Sequence, residues 1–219
     1  MPRRTGNDVA PIEVLAVATY PQLGGGEILM IDVLSGLAGR GVRATVLVFG
    51  DGAIAARCRA VGLPVVVAPP LHLSRPLAAL RSLRTARRAS AEPCRVDVVH
   101  ASNPKAQLVG WVLRPGLRVG RTVQLLDPPG PRDPYALATA PFPAHRTAIT
   151  REAATAWRRR IRRRVRVIEP GVDATALASR AALGNPDRAW EGLVEAPRVA
   201  MVARHQRYKG AADLVDAIG

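Results

Sequence analysis

The sequence predicts an α/β protein built on a doubly wound parallel sheet. Short apolar runs, rich in β-branched residues, alternate along the chain with segments of helical periodicity. Most of these runs are apolar without interruption, which is typical of strands whose sheet is covered by helices on both faces. With 219 residues and a hydrophobic content of 48%, the chain can bury a sizeable core. The strand–helix–strand order predicts right-handed crossover connections.

The apolar runs define the predicted strands of a first domain. The first run, "IEVLAVAT", is closed by Pro21, and the last, "VRVIEPG", ends in a Pro-Gly turn. The predicted strands span residues 12–19, 43–50, 64–69, 96–101, 121–126, 146–150 and 165–171.

Helix signals fill the intervals between these strands. Asn103 and Thr150 are good N-caps, Pro104 suits a first-turn position, and Gly62 is a natural C-cap. The predicted helices span residues 27–39, 52–61, 75–90, 104–113 and 151–164. Apolar faces are expected from Ile28, Ile31, Leu34 and Ala38, from Leu77, Leu80 and Leu83, and from Ala153, Ala154, Trp157 and Ile161.

A change in composition and periodicity after Asp173 predicts a domain boundary. The following segment is rich in alanine and weakly periodic, and the strand–helix pattern then restarts with a strand over 198–203 and a helix near residue 210. One strand and part of a helix cannot bury a core. We therefore expect a domain over residues 1–173, a linker with some helix over 174–197, and the beginning of an incomplete second domain over 198–219.

Composition and charge narrow the function classes. The formal net charge is +15, almost all from arginine, so either an anionic partner or an arginine-rich source composition accounts for it. No apolar run reaches the roughly 18 residues of a membrane span, and no secretory leader is recognisable. Cys58 and Cys94 are isolated, which favours a reducing compartment, the cytoplasm. The four histidines show neither hydrolase nor zinc-site spacing.

The first strand leads into a glycine bend, Gly24, Gly25, Gly26 and Glu27, which opens the first helix. Glycine lets backbone approach a ligand closely, and a helix N-terminus offers unpaired N–H groups and a positive dipole end. The bend therefore predicts a phosphate or diphosphate site at the carboxyl end of the sheet. A tight turn without a ligand is the alternative. The spacing is not G-x-G-x-x-G, so a dehydrogenase-type site is weakly supported.

A second candidate motif, "VARHQRYKG", opens the predicted second domain. Arg204 closes a strand and Lys209 precedes the next helix, so two cations flank one loop and could clamp a diphosphate. A solvated polar loop is the alternative. Between the two motifs lies "VIEPGVD", residues 167–173, which predicts a turn that closes the first domain.

In this order, "YPQLGGGE", "VRVIEPGVD" and "VARHQRYKG" resemble glycosyltransferase family 4, whose members have the GT-B architecture. The resemblance runs over residues 12–219 and covers the first half of such an enzyme. It implies a Rossmann-like acceptor-side domain facing a nucleotide-sugar-binding domain, with transfer that retains the anomeric configuration and needs no metal or other cofactor. It places Gly25 and Gly26 near the donor diphosphate and assigns phosphate contact to Arg204 and Lys209.

The sequence departs from the family pattern at three places. Leu126 stands where relatives often have a histidine, and Ala203 replaces the glycine before the strand-end arginine. The family's E-x7-E glutamate pair, which serves the donor sugar and ribose, has no counterpart before Gly219. We therefore expect a truncated chain whose activity needs the missing C-terminal half.

Two polar residues near predicted strand ends are acceptor-side candidates. His100 ends the fourth strand and faces the predicted cleft, with a structural histidine as the alternative. Asp127 precedes the stiff loop "PPGPRDP", which could line an acceptor pocket or form an Asp-Pro turn.

Two predicted helices carry dense clusters of arginine. Basic amphipathic helices suit an anionic membrane surface, and a solvated helix face is the alternative. Aromatic residues make up 4%, too few for the stacking platform of a nucleic-acid-binding protein. The candidate membrane-surface residues are Arg158, Arg159, Arg162 and Arg163, with a second arginine face at Arg81, Arg84 and Arg88.

The sequence thus predicts a retaining glycosyltransferase of the hexosyltransferase type, which uses a UDP- or GDP-sugar and a lipid or glycan acceptor. Its expected location is the cytoplasm, peripherally at the inner face of the membrane. A non-catalytic binding module for an acceptor or an anionic membrane surface is the first alternative. A basic nucleic-acid-binding protein is the second.

Overall fold

The computed structural model describes residues 10–90, 95–115, 119–130, 133–183, 201 and 210–218, and the structural statements below concern these residues. The chain divides into two compact units, Met1–Pro170 and Gly171–Gly219. The strands of the first unit are β1 (Ile12–Ala18), β2 (Val42–Phe49), β3 (Val65–Ala68), β4 (Val98–Ala101), β5 (Gly120–Leu125), β6 (His145–Ala148) and β7 (Val165–Val167). Its helices are α1 (Gly25–Leu37), α2 (Ala53–Ala60), α3 (Pro76–Ala89), α4 (Pro104–Leu113), α5 (Pro134–Thr139) and α6 (Arg151–Ile161), with a 3-10 turn at Ala38–Arg40. The second unit contains α7 (Ala174–Leu183) and α8 (Ala211–Ile218).

The described strands form one seven-stranded sheet in the order β3-β2-β1-β4-β5-β6-β7. Every neighbouring pair is parallel. The chain moves outward from β1 to β3 and then returns to the other side of β1, so the strand order reverses between β1 and β4. In register, Ala16 of β1 lies between Val46 and His100. The predicted parallel α/β sheet is confirmed.

Helices cover both faces of this sheet. On one face α1 and α2 bury Ile31 and Cys58 against strand residues such as Ala16. On the other face α3 to α6 pack over the alternate strand residues, among them Val17 and Val123. The doubly wound arrangement predicted from continuous apolar strands is therefore present.

Local capping chemistry fixes several helix ends where the sequence predicts them. The side chain of Asn103 accepts a hydrogen bond from the Ala106 N–H at 2.8 Å, and that of Thr150 accepts from the Ala153 N–H at 3.1 Å. Gly62 follows α2 with a φ of 74°, the left-handed conformation that favours glycine after a helix. The stripe predicted on α6 is buried as expected: Ala153, Ala154, Trp157 and Ile161.

The apolar face predicted for α3 is wrong at Leu77 and Leu80, whereas Leu83 is half-buried and packs against the core. Leu77 is 73% exposed and Leu80 is 44% exposed, whereas Ala79, Ser82 and Ala86 are buried against the sheet. Small side chains let the helix backbone approach the strands closely. The Ser82 hydroxyl adds hydrogen bonds to carbonyls of the preceding loop and of its own helix.

Smaller differences between the predicted and the observed elements occur elsewhere in the chain. On α1, Ile28 is exposed and Met30 takes its place in the core. The short helix α5 has no predicted counterpart, because its six residues are too few to show a helical period. Part of the predicted linker is α7, and the predicted strand over 198–203 lies outside the described residues, apart from Met201.

Candidate functional site

The carboxyl end of the parallel sheet gathers the loops that carry most of the predicted site residues. Because β1, β4 and β5 are successive strands, the loops that follow them are neighbours at this edge. The reversal of strand order between β1 and β4 is the point at which open α/β sheets bind ligands.

The β1 loop enters α1 through the glycine bend. The Gly24 N–H donates to Oε2 of Glu27 at 3.1 Å, and the Gly24 carbonyl accepts from the Ile28 N–H at 3.0 Å. The amides of Gly25, Gly26 and Glu27 precede the first intrahelical bond and donate to no other residue of the described chain. They lie at the positive end of the helix dipole, so the bend is suited to an anionic oxygen. Diphosphate contact by Gly25 and Gly26 stays a prediction.

The two glycines differ in their surroundings. A Cβ at Gly25 would meet no atom within 4 Å, so its backbone is open to a ligand. A Cβ at Gly26 would lie 2.0 Å from Cδ1 of Leu126, because the leucine side chain fills the space beside this glycine. A side chain at position 26 would therefore require the half-buried Leu126 side chain to move. Leu126 is also the residue that stands in place of the family's histidine.

The loop after β2 holds the β1 loop in position. The Ile54 N–H donates to the Pro21 carbonyl at 3.2 Å, and a Cβ at Gly52 would come within 2.9 Å of that carbonyl oxygen. Gly50, with a φ of 96°, turns the chain out of β2 beside the Pro21 ring. These contacts fix the start of the glycine bend relative to the sheet.

The loop after β4 contributes a residue that the sequence motifs did not single out. Lys105 is the second residue of α4, and its Nζ lies 4.4 Å from the ring centroid of Tyr20 in the β1 loop. One signal in the sequence points to it. It is one of two lysines in a chain whose other cations are arginines, and it stands in the first turn of a helix after a strand.

His100 lies on the face of β4 that carries α1, level with Ala16 and Thr122 of the neighbouring strands. Its Nδ1 is 2.7 Å from the Thr122 hydroxyl oxygen. Burial lowers the pKa of His100 from 6.5 to about 4, so the imidazole is neutral at neutral pH. A neutral histidine bonded to the adjacent strand fits a structural role, and acceptor contact stays a prediction.

Asp127 follows β5 and has an exposed side chain. Its backbone carbonyl accepts a hydrogen bond from Nε1 of Trp157 at 2.8 Å, which ties the β5 loop to α6. Within the described chain, no hydrogen bond or ion pair joins Asp127 to His100. The role of Asp127 toward an acceptor also stays a prediction.

The helix α6 ends at Ile161, so Arg158 and Arg159 lie on it while Arg162 and Arg163 follow it. Two of these four arginines proposed for membrane contact bind backbone carbonyls. The Nε of Arg158 donates to Val165 at 3.0 Å, and that of Arg163 donates to Ala140 at 3.3 Å. Arg159 and Arg162 are exposed, like most of this cluster. No helix in the described ranges combines the length and the apolar content needed to cross a bilayer.

The predicted phosphate-binding cations Arg204 and Lys209 lie outside the described residues, and their role stays a prediction. Among the residues that the structure does describe, no group of three or more His, Cys, Asp or Glu side chains is placed to hold a metal ion.

Comparison with known proteins yields one family and several structural neighbours. The family model described as Glycosyltransferase Family 4 matches residues 23–176. No protein of curated function matches the sequence.

Solved structures match over nearly the whole of this chain. Anabaena Alr3699/HepE in complex with UDP and glucose aligns with a TM-score of 0.73 at 22% identity, over 94% of this chain and 57% of that chain. The same protein in complex with UDP-glucose gives a TM-score of 0.72 at 22% identity, with the same coverage. A glycosyltransferase from Rickettsia africae ESF-5 gives 0.70 at 16% identity, over 96% of this chain and 57% of that chain. The chain shares the fold of these structures and spans 57% of their length.

Proposed function

This chain belongs to glycosyltransferase family 4, and from that premise we propose that it forms the acceptor-side part of an enzyme that transfers a sugar, with retention, from a nucleotide-sugar donor to an acceptor. One observation carries the proposal: the open glycine bend at the carboxyl end of β1, beside the reversal of strand order. The UDP and UDP-glucose in the complexes of Alr3699/HepE support a nucleotide sugar as donor.

The chemistry of sugar transfer explains why such a bend is useful. The bond between the sugar's anomeric carbon and the diphosphate oxygen breaks, and the nucleoside diphosphate leaves with growing negative charge. Donors that are already oriented stabilise this charge most effectively. In the proposed mechanism the amides of Gly25 and Gly26, held by α1, supply such donors. Arg204 and Lys209 add positive charge, so that neither a metal ion nor another cofactor is required.

Binding and hydrolysis of a panel of UDP- and GDP-sugars test this proposal. The two proteins to compare are this chain and a form extended by a C-terminal domain of the family. We expect turnover by the extended form. Gly25→Ala keeps the amide but adds a Cβ on the open side of the bend, where it should hold an anion away from the amide and weaken donor binding about tenfold, the equivalent of one hydrogen bond to a charged group. Arg40→Ala, at an exposed site, should leave it unchanged. Inertness of both forms toward every donor contradicts the proposal.

A second function, attachment to an anionic membrane surface, is favoured by α3. Leu77, Arg81, Arg84 and Arg88 follow one another at steps of three and four residues, so they share one side of the helix. All four are exposed. Exposed leucine among arginines is typical of helices that lie at the headgroup boundary of anionic bilayers. Binding to anionic and to neutral vesicles tests this function.

We place the main membrane contact on α3 and not on α6. Arg158 on α6 and Arg163, two residues after its end, already donate to backbone carbonyls. The large apolar side chains of α6, Trp157 and Ile161, are buried. The helix therefore offers charge without an exposed apolar part.

A further inference from the structure

Lys105 is a buried cation without a counter-charge. The residue is 8% exposed, and its ammonium group makes no hydrogen bond or ion pair within the described chain. Its one close partner is the face of the Tyr20 ring. Most of the side chain is buried, whereas the ammonium nitrogen is not among the fully buried side-chain atoms that lack a partner, so it stays accessible at this corner. The cation–π contact leaves the hydrogen-bond donors of the ammonium group unused.

A second polar group lies unused at the same corner of the sheet. Thr19 follows β1 directly and precedes Tyr20; it is 3% exposed, and its hydroxyl oxygen has no hydrogen-bond partner. Alternation from Val17 places Thr19 on the sheet face that α4 covers. Buried polar groups are normally hydrogen-bonded, so the unpartnered hydroxyl of Thr19, in the loop whose Tyr20 ring contacts Lys105, is a second indication of a ligand at this loop.

The first turn of α4 adds to the positive potential of this corner. The Asn103 side chain accepts a hydrogen bond from the Ala106 amide, and Pro104 has no N–H. The Lys105 amide is therefore the first-turn donor that the capping side chain does not bind. The corner lies where the strand order reverses, between the loop that carries the glycine bend and the loop after β4. It contains no described carboxylate that pairs with Lys105.

We propose that Lys105, with the Tyr20 ring against its ammonium group, is a subsite for a phosphate group of the acceptor. The assignment to the acceptor rests on the proposed function, whereas the affinity for a phosphate anion does not. An ammonium group is a compact charge that suits a phosphate oxygen, and its N–H donors are free to bind one. The acceptor class that this subsite selects is a phosphate-bearing molecule.

The lysine content of the chain makes a direct test feasible. Labelling with lysine enriched in ¹³C at Cε gives two side-chain NMR signals, from Lys105 and Lys209, which Lys105→Arg distinguishes. Contact with the Tyr20 ring should change the chemical shift of the Lys105 signal, and Tyr20→Leu should remove this change. We expect inorganic phosphate to shift the Lys105 signal saturably, whereas chloride at equal ionic strength does not. A Lys105 signal whose chemical shift does not change on addition of phosphate overturns the proposal.

The two sources of phosphate are distinguished by adding UDP first, to the form extended by a C-terminal domain of the family. A Lys105 signal that responds to inorganic phosphate after UDP has reached saturation assigns the subsite to the acceptor. A Lys105 signal that UDP itself shifts, and that then does not respond to phosphate, assigns it to the donor and overturns the acceptor proposal. Failure of the extended form to bind UDP at all, together with a phosphate response at Lys105, counts against the transferase function and leaves the anion subsite intact.

Substitutions provide an independent measure of phosphate affinity. Lys105→Met keeps the apolar length of the side chain and removes the charge, and we expect phosphate binding to weaken by at least about tenfold. Arg40→Met removes one exposed charge elsewhere and is the matched control. Equal weakening by both variants means that only net charge matters, which overturns the proposal. The NMR titration of the unchanged chain decides the question even where Lys105→Met does not fold.

Discussion

Leu126 lies so close to Gly26 that any side chain at position 26 must displace it. We expect Gly26→Ala to lower the free energy of unfolding by about 1–2 kcal/mol, as for a methyl group forced into filled space. In a Leu126→Ala background the same change should be nearly neutral, because the obstructing side chain is gone. Urea denaturation of the two single variants and the double variant measures this coupling.

Gly25→Ala is the matched control for this cycle. The space beside Gly25 is open, and alanine has a higher helix propensity than glycine by roughly 1 kcal/mol. We expect unchanged or increased stability, together with the weaker donor binding proposed above. A Gly26→Ala variant as stable as the original chain would show that Leu126 does not restrict this position.

His100 makes the stability of the fold depend on pH. Burial lowers its pKa to about 4 in the folded chain, whereas an unfolded histidine titrates near 6.5. The unfolded state therefore binds the proton first, so stability is complete above pH 6.5 and declines as the pH falls toward 4. We expect the urea midpoint to fall less over this window in His100→Gln. His72→Gln, at an exposed site, should follow the original profile, and parallel profiles for all three proteins would contradict the assignment.

Single residues differ in how far the sequence predicts their roles. The caps at Asn103 and Thr150 could be predicted because a cap acts on amides two or three positions away. The pairing of Gly26 with Leu126, and of Lys105 with Tyr20, could not. Each pair joins residues remote in sequence that meet only because parallel strands bring their loops to one edge.

At the scale of whole elements, α6 and α3 show when an apolar stripe is informative. On α6 the large apolar side chains Trp157 and Ile161 stand among arginines, so one face alone can be buried. On α3 leucines and small residues both recur at helical spacing, so the sequence offers two faces that could be buried against the sheet. The face with Ala79 and Ala86 is buried because it allows a close approach to the sheet, a distance that no pattern within α3 reveals.

Arg146 ties the end of α5 to the start of β6. Its buried guanidinium donates to the carbonyls of Thr139, Ala140, Phe142 and Ala144. Burial lowers the pKa of Arg146, and these bonds compensate the buried charge. Carbonyls at a helix C-terminus have no partner within the helix.

Substitution of Arg146 tests how much its guanidinium group contributes to the stability of this connection. Arg146→Lys keeps the charge but cannot reach several carbonyls at once, and we expect it to lower the free energy of unfolding by about 2 kcal/mol. Urea denaturation measures the loss, with Arg159→Lys at an exposed position of α6 as the control. Equal stability of the two variants would indicate that these carbonyls do not depend on the guanidinium.

At the scale of the whole molecule, the sheet could be predicted because each strand–helix unit carries its own local signal. The gathering of the predicted loops at one edge then follows from parallel pairing alone. The meeting of Arg204 and Lys209 with the glycine bend is a different matter, since it depends on the arrangement of two units. No periodicity or cap within either unit encodes that arrangement, so this part of the site stays a prediction.

Net charge and the exposed face of α3 together lead to a prediction about membranes. We expect this chain, with its formal charge of +15, to sediment with phosphatidylglycerol vesicles and not with phosphatidylcholine vesicles, and to be released by salt. Charge alone would also give such behaviour. The distinguishing feature is apolar: Leu77 and Leu80 are exposed beside the arginines of α3.

The double substitution Leu77→Ser, Leu80→Ser separates insertion from simple electrostatic attraction. It leaves the net charge unchanged and removes apolar area that insertion would bury, so we expect vesicle binding to weaken by about tenfold or more. Val33→Ser, at an exposed position of α1 on the opposite face of the sheet, is the control for loss of an exposed apolar side chain. Unchanged binding of the leucine variant, with loss of binding on Arg159→Gln and Arg162→Gln, would move the membrane contact to α6. Because neither leucine belongs to the core, the variant should keep its stability, and any loss of binding then reports on the surface itself.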